Sequence, residues 1–415
     1  MPESPKLIGK LLSALPAVQA SVLTNLTELA DQRGIAIYLV GGPVRDLLLD
    51  LPPGDLDVAV EGDALDLASA LASANGGRLV RHARFGTASV STDGAHVDLA
   101  TARSETYETP GALPTVHPSS IDDDLHRRDF TINAMALALT GAGAGRLLDP
   151  AGGRANLDAG LVRVLHDASF QDDATRILRA VRYEARFGFR IEEATHDLLV
   201  RDLPYLETIS AARVHQELDL TLAEPEPEHA LLRLAGLGAL LVLHPALRFD
   251  SELAAAFGPL REIAPRAVPA AYWPLLLWHA AGPASEAVVT RLALTRPQAN
   301  AVRALPELRR LAERSAGARP SEVAGHFAGQ PATAVWALAA AGSGAEKEQA
   351  QAYMIRYRNI RPILRGNDLH TLGVPPGKPV GEVLTLLRAA KLDGEVRTRA
   401  DEERLVRDYL TRKAE

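Results

Sequence analysis

GGPVRDLLLDLPPGDLDVAV, residues Gly41 to Val60, is the stretch that decides how the first third of this chain is built. It follows IAIYLV, an apolar run that reads as a buried strand ending at the glycine pair. VRDLLLD then has helical spacing, and DLDVAVEG (Asp55 to Gly62) alternates as a half-buried strand does. Gly41 and Gly42, set between strand and helix, let backbone N–H groups approach an anion, and a helix start favours one. Such turns are common, so the glycines alone decide little. Asp55 and Asp57 add to them: residues i and i+2 of a strand face one side, so the two carboxylates converge. Converging carboxylates beside a phosphate suit Mg²⁺, which takes oxygen ligands and keeps some of its water. Two such ions can stabilise both the attacking and the leaving oxygen of a phosphoryl transfer. An isolated D-x-D is also what a solvent-facing strand end looks like; its place one strand after the glycine turn favours the site. Asp98, in the strand-like HVDLATAR, is a candidate third carboxylate, although a lone strand aspartate is often structural or exposed.

Outward from this stretch, residues 1–33 carry helical apolar spacing and ALDLASALASANGG reads as a helix stopped by glycines. Further strands are expected in RFGTASVST and HVDLATARS, giving an α/β head that ends near residue 150. After Asp149-Pro150 and PAGGRANLDAG the strand signals largely stop, and helical segments broken by Pro and Gly run to the end. A length of 415 residues exceeds what one hydrophobic core supports, so at least two domains are expected. An aromatic content of only 5% with abundant Ala, Leu and Arg favours helices over an all-β fold. The absence of cysteine excludes disulfides and thiolate metal sites. The net charge of −7 neither supports nor excludes a nucleic-acid partner, because phosphate contacts need a local basic face and not a basic protein. No leader pattern opens the chain and no window offers about 18 uninterrupted apolar residues, so a soluble cytoplasmic protein with no membrane partner is expected.

Three further segments carry candidate chemistry. HRRDFTINAMA (His126 to Ala136) places Arg127 and Arg128 before Asp129 and Asn133. Guanidinium groups suit phosphate and a carboxylate can accept from a ribose hydroxyl, but the run also fits the charged start of an apolar helix. Ser104 to Leu125 before it is long, rich in turn residues and poorly periodic: a surface connection, or a functional loop. DDATRILRAVRYEARFGF (Asp172 to Phe189) reads as one helix, with Asp172 and Asp173 in its first turn. At 100° per residue Arg176, Arg179, Arg182 and Arg186 fall within roughly one-third of the circumference. A capped helix with a solvated basic face explains that pattern without any ligand. His196-Asp197 invites comparison with metal-dependent phosphohydrolases, but no partner ligands are evident and the pair reads as structural.

G-G-x-V-R-D-x-L-L with Asp55 and Asp57 downstream, R-R-D-F-T-I-N-A at 127–134 and D-D-A-T-R at 172–176 together resemble the bacterial and eukaryotic class of CCA-adding enzymes and poly(A) polymerases. ARVHQELDLTL resembles the neck motif of that family, with Ala212 where glutamate is usual and Arg213 and Glu217 as structural residues. G-x-D-L-x-x-L-G in the tail (366–373) resembles its end. Asp50 stands where family members usually carry glycine, and Asp172 where they usually carry glutamate. The resemblance implies an α+β fold: a polymerase-β-like head over 1–150, a neck with the base-selecting helix over 151–225, and a helical body and tail for tRNA over 226–415. It implies template-independent addition of CMP and/or AMP, from CTP and ATP, to the 3′ end of tRNA with Mg²⁺. Asp55, Asp57 and Asp98 would hold metal, the first two as the catalytic pair. Gly41, Gly42, Arg45, Arg127, Arg128, Asp129, Asn133 and Arg179 would bind the nucleotide. Asp173 and Arg176 would read the base, accepting from its exocyclic amine and donating to the adjacent ring nitrogen, supported by Asp172. In the family the segment before R-R-D-F is a flexible element used in the switch to the final AMP. Exposed Arg358, Arg361, Arg365 and Lys378 suit phosphate contacts or a solvated helix equally. The alternatives are an enzyme adding only CC or only A, a poly(A) polymerase, and a non-catalytic RNA-binding module.

Overall fold

The structure, a computed structural model, describes residues 4–106, 115–280 and 283–414. The chain divides into two compact units, residues 1–213 and 214–415.

The first unit is built on a seven-stranded sheet. Two helices, α1 (Ser4–Ala14) and α2 (Ala17–Gln32), precede β1 (Ala36–Val40). The glycine pair then turns the chain into α3 (Gly42–Leu48), and β2 (Leu56–Glu61) follows with Asp55 just before its first residue. Helix α4 (Ala64–Asn75) starts on Asp63, whose carboxylate accepts from Leu65 N and Asp66 N, and stops at the left-handed Gly76. A meander of β3 (Arg78–His82), β4 (Thr87–Thr92) and β5 (Ala95–Thr101) comes next. The hairpin β6 (Arg103–Thr106) and β7 (Thr115–Pro118), helix α5 (Ile121–His126), β8 (Ala136–Ala138) and β9 (Leu147–Leu148) complete the head. The sheet order is β3-β4-β5-β2-β1-β8-β9, antiparallel throughout except for the parallel pair β2/β5.

Alternation along the strands gives the sheet two unlike faces. Ile37, Leu39, Leu56, Val58, Val60, Val97 and Leu99 are buried beneath α2 and α4. The opposite face carries Asp57, Asp98, His96, Ser89 and Ser91, and only part of it is roofed, where Ile121 and Leu125 of α5 pack on Val40, Ala59 and Ala136. The α+β head expected from the sequence is therefore present, with its polar face left open.

Four local expectations are corrected. The apolar run after R-R-D-F is not a helix: Thr131–Asn133 form a single 3₁₀ turn and Ala136–Ala138 are a strand, every residue buried between β1 and β9. A short continuous apolar run does not distinguish a buried strand from a buried helix. Strand β3 was not anticipated because it is mostly exposed and lacks alternation. The segment 104–125, expected as a surface connection or a flexible element, is not a featureless connection: β6 runs into it and β7 and α5 lie within it, and its residues 107–114 fall outside the described residues. The helix expected over Asp172 to Phe189 is two helices, α7 (Ser169–Asp172) and α8 (Thr175–Phe187), with Asp173 extended between them. Asp50 is left-handed, with φ +58°, which accounts for glycine being usual there: glycine reaches that conformation without a Cβ penalty.

The second unit is helical, and two hydrophobic clusters hold its later helices. One gathers Leu305, Leu308, Phe327, Val335 and Leu338 from three successive helices, Arg296–Arg314, Pro320–Phe327 and Ala332–Ala341. The other gathers Leu369, Val383, Leu387 and Val406 from Gly366–Thr371, Lys378–Leu392 and Arg399–Ala414. In the G-x-D-L motif, Asp368 accepts from Arg365 N at 2.8 Å and pairs with Arg399 at 2.6 Å, so its work is to fix a helix start. Arg358, Arg361 and Arg365 are exposed on a non-helical segment, not on a solvated helix. No helix among the described residues is long and apolar enough to cross a membrane.

Candidate active site

Asp57 and Asp98 are register partners on the parallel strands β2 and β5, neighbours on one face of the sheet. Burial first, then the neighbouring Asp98 and Asp55, push the Asp57 carboxyl up to about 6, with Arg128 and His96 partly opposing them. Crowded carboxylates with too little positive charge are the donor set of a divalent cation. Among the described residues no three such side chains close into a ready-made ion cage. Mg²⁺ takes one or two carboxylates and completes its shell with water and substrate phosphates. Asp55 is exposed just ahead of β2, free to join such a set.

A cavity of about 360 Å³ opens over this pair, lined by Asp57, Asp98, Ser89, Thr87, Asp124, Arg127 and Arg128. Arg128 carries the open positive charge. One of its nitrogens donates to Asp124 at 2.8 Å, while its buried Nε has no partner among the described residues. It lies over the glycine turn: a Cβ on Gly41, whose φ is +72°, would stand 2.8 Å from Arg128 Nη1. The glycine pair thus makes room for an arginine. The N–H of Gly41 itself donates to Met135 O at 3.3 Å, leaving Gly42 as the glycine next to the turn with helical geometry. Arg127 is more fully engaged, with Asp124, Glu105 and the Arg103 carbonyl. Asp124, only 1% exposed, gathers both arginines and stays ionised because of them. Sequence reasoning missed it; the signal was its spacing of three and four residues before the arginine pair on a helical turn.

Other expected nucleotide ligands sit in a second, internally paired cluster. Arg45 is 4% exposed; it donates to Asp46 and to Asn133 Oδ1 at 2.7 Å, with its guanidinium 4.7 Å from the Phe187 ring centre. Asn133 donates in turn to Asp129 Oδ1 at 3.0 Å, and Arg179 donates twice to Asp129 Oδ2, at 2.9 and 2.6 Å. Burial by itself would raise the Asp129 carboxyl, but Arg179 and these donors override it and hold it down at about 2.

The base-reading candidates are likewise held by protein groups. Asp173 accepts from Thr175 N at 3.0 Å and from Arg213 at 2.6 Å, so Arg213 ties the neck-like motif to this carboxylate. Arg176, 5% exposed, donates to Ser169 Oγ at 2.6 Å and to the Arg127 carbonyl at 2.8 Å. With Arg182 also buried and Arg179 half-buried, the basic face of α8 is solvated only at its end, at the exposed Arg186. Asp172, shorter than the usual glutamate, faces His166 at 3.6 Å and is not bonded to Arg176. Asp172, His166, Arg176, Arg127 and Glu105 line a second cavity of about 260 Å³, so Arg127 is a wall shared by both cavities. His196 and Asp197 are 3.8 Å apart on the helix Glu193–Asp202 and, among the described residues, join no metal-ligating group.

Paired carboxylates on the central strands of such a sheet, faced by arginines, define a nucleotidyltransferase. Comparison with known proteins gives the particular family. Residues 37–163 match the poly A polymerase head domain, and residues 188–250 match the probable RNA and SrmB-binding site of polymerase A. An A-adding tRNA nucleotidyltransferase of Halalkalibacterium halodurans is 32% identical, over 99% of this chain and 97% of its own length. A second A-adding tRNA nucleotidyltransferase, from Geobacter sulfurreducens, is 35% identical over 94% of this chain. The chain spans only about half of that relative, 47% of its length. The solved Thermotoga maritima CCA-adding enzyme complexed with tRNA superposes with a TM-score of 0.76 at 32% identity, covering 98% of each chain. The chain belongs to the tRNA nucleotidyltransferase family, whose members work with a divalent metal.

Proposed function

We propose that this chain extends the 3′ end of tRNA without a template, adding CMP and/or AMP from CTP and ATP. The observation that carries the reading is the Asp57/Asp98 pair, side by side across β2 and β5 beneath Arg128. Divalent ions, Mg²⁺ in this reading, would supply charge neutralisation at the α-phosphate and lower the cost of ionising the attacking 3′-hydroxyl. Asp57, with Asp55 and Asp98, would hold them. Arg128, which lines the cavity, sets its guanidinium beside the triphosphate, where it stabilises the charge that builds on departing pyrophosphate. Arg127 fixes the wall between the two cavities, and Asp129, Asn133, Arg45 and Arg179 brace the arginine-bearing segment from below. Base choice is assigned to Asp173 and Arg176, with Asp172 and His166 at the rim of the second cavity. The first 213 residues carry the transfer, and the helical second unit, with its exposed Arg358, Arg361, Arg365 and Lys378, carries the tRNA.

The test is Mg²⁺-dependent extension of three tRNA transcripts, ending before the CCA, after one C and after both Cs, each with labelled CTP or ATP alone and together. Growth of at least one transcript by the nucleotides that complete CCA is expected. Complete CCA on the shortest marks a full CCA enzyme, and labelling confined to the CC-ended transcript with ATP marks an A-adding one. Long A-tails, or no incorporation on any transcript, overturn the reading.

A further inference from the structure

Asp98 does not stand alone on the open face of the sheet. Its cross-strand neighbours are Asp57 on one side and Ser89 of β4 on the other. Two residues earlier on the same strand, and so on the same face, is His96, whose own neighbour on β4 is Ser91. Ser89 Oγ donates to Asp98 Oδ1. His96 Nε2 lies 3.3 Å from that same oxygen, and Ser91 Oγ lies 2.9 Å from His96 Nδ1.

The chemistry of the groups orders this chain. A carboxylate can only accept, so the imidazole nitrogen facing it carries the proton, and Nδ1 is left to accept from the Ser91 hydroxyl. A neutral ring suffices. Ser89 donates to Oδ1 and His96 Nε2 stands beside that same oxygen; among the described residues no side chain reaches Oδ2. Asp98 is thereby held with one oxygen spent on the sheet and the other available to the cavity that it shares with Asp57. A histidine donating to a metal-binding carboxylate is the outer-shell arrangement that fixes ligand orientation in metalloproteins.

We propose that His96, oriented by Ser91, is a positioning residue that fixes Asp98 Oδ2 for the divalent ion; the proposal rests on the nucleotidyl-transfer reading above. His96 touches neither nucleotide nor tRNA in this role. Its removal therefore weakens metal binding and lowers turnover without altering recognition of either substrate.

Mn²⁺ is the probe, titrated into the full chain and followed by its electron paramagnetic resonance signal, for the wild type, His96→Ala, His96→Gln, Ser91→Ala and Asp57→Ala. His96→Ala is expected to weaken Mn²⁺ binding about 10-fold and to raise the half-saturating Mg²⁺ by a similar factor, the scale of outer-shell losses. At limiting Mg²⁺ its kcat falls while KM for CTP, ATP and tRNA stays within about 2-fold. His96→Gln, which returns an N–H donor near the former Nε2, recovers most of the loss, and Ser91→Ala gives a smaller loss in the same direction. The histidine side chain is 37% exposed, so thermal unfolding of both His96 variants should match the wild type. Wild-type affinity in His96→Ala, equal losses in the alanine and glutamine variants, or no difference between wild type and Asp57→Ala overturns the proposal. A wild type that binds Mn²⁺ at Asp57 yet extends no tRNA overturns the functional reading and leaves the positioning of Asp98 standing.

Discussion

Two half-buried carboxylates in one head are treated in opposite ways. Asp57 is set among other carboxylates and driven up to about 6; Asp129, a few strands away, is surrounded by donors and held at about 2. Asp129 has Arg179, Asn133 and its own backbone neighbour Phe130 on its two oxygens. Among the described residues Asp57 receives no comparable set, and Arg128, whose charge opposes the rise of its carboxyl, keeps its Nε unused. One region is electrostatically complete and the other is completed from outside. The arginines divide the same way: Arg45 is buried in pairing, whereas Arg128 faces the cavity. What the protein does not satisfy internally is where a cation and a triphosphate enter.

Breaking the open region should cost activity and spare the fold. Asp57→Ala is expected to reduce tRNA extension by at least about 10³-fold, the scale of lost metal and transition-state stabilisation, with an unchanged circular dichroism spectrum. Breaking the closed region should do the reverse. Arg45→Ala leaves Asp46, 8% exposed, without its partner and is expected to cost about 3 kcal/mol in urea unfolding. Arg128→Ala should lower kcat/KM about 10²-fold and shift the same urea midpoint less, because the buried Asp124 keeps Arg127 as a partner. An Arg128→Ala variant that unfolds as readily as Arg45→Ala would erase the distinction between the two arginines.

Acid should act on the two carboxylates with opposite sign. The folded value of Asp129 lies below its ordinary 3.8, so its contribution is present above about 4 and is lost as pH falls towards 2. Asp129→Asn is expected to remove about 2 kcal/mol at pH 7 and to flatten that acid limb. The folded value of Asp57 lies above 3.8, so in metal-free protein stability falls as pH rises from about 4 to about 6. Asp57→Asn should therefore make the metal-free protein more stable at pH 7, by about 2 kcal/mol, while abolishing transfer. The smallest effect is expected outside both regions: Asp50→Gly, at φ +58°, should gain about 0.5 kcal/mol and Asp50→Ala should lose about 1, both read from thermal unfolding.

The division was only partly legible in the sequence. The strand, glycine turn and D-x-D announced themselves because period-2 alternation and glycine are local signals, and they brought the head fold and Asp57 with them. Asp98 was visible as a candidate, but its place beside Asp57 depends on a parallel pairing between segments 41 positions apart, which no local spacing encodes. Asp124 went unnoticed as one acid among three in DDDL, since only packing shows which of them is buried. Arg45 and Arg128 look alike in sequence and in the family's motifs. Burial under Phe187 separates one from the other, and that is a tertiary fact. The break at Asp173 was hidden because helical periodicity continues across it, while the backbone turns to let the carboxylate meet Thr175 and Arg213.

The one parallel pairing in the sheet has a further consequence, for the order in which the enzyme comes alive. Strands β2 and β5 cannot be joined by a tight turn; α4, β3 and β4 must all be laid down before β5 can slot in beside β2. Local helices form in microseconds, whereas a pairing of this sequence separation pays its loop-closure entropy first. On refolding, or during synthesis, most of the helical signal should be in place before Asp57 meets Asp98. Catalytic competence would then be among the last properties the head acquires, and recovery of nucleotide transfer would report the closing of its sheet.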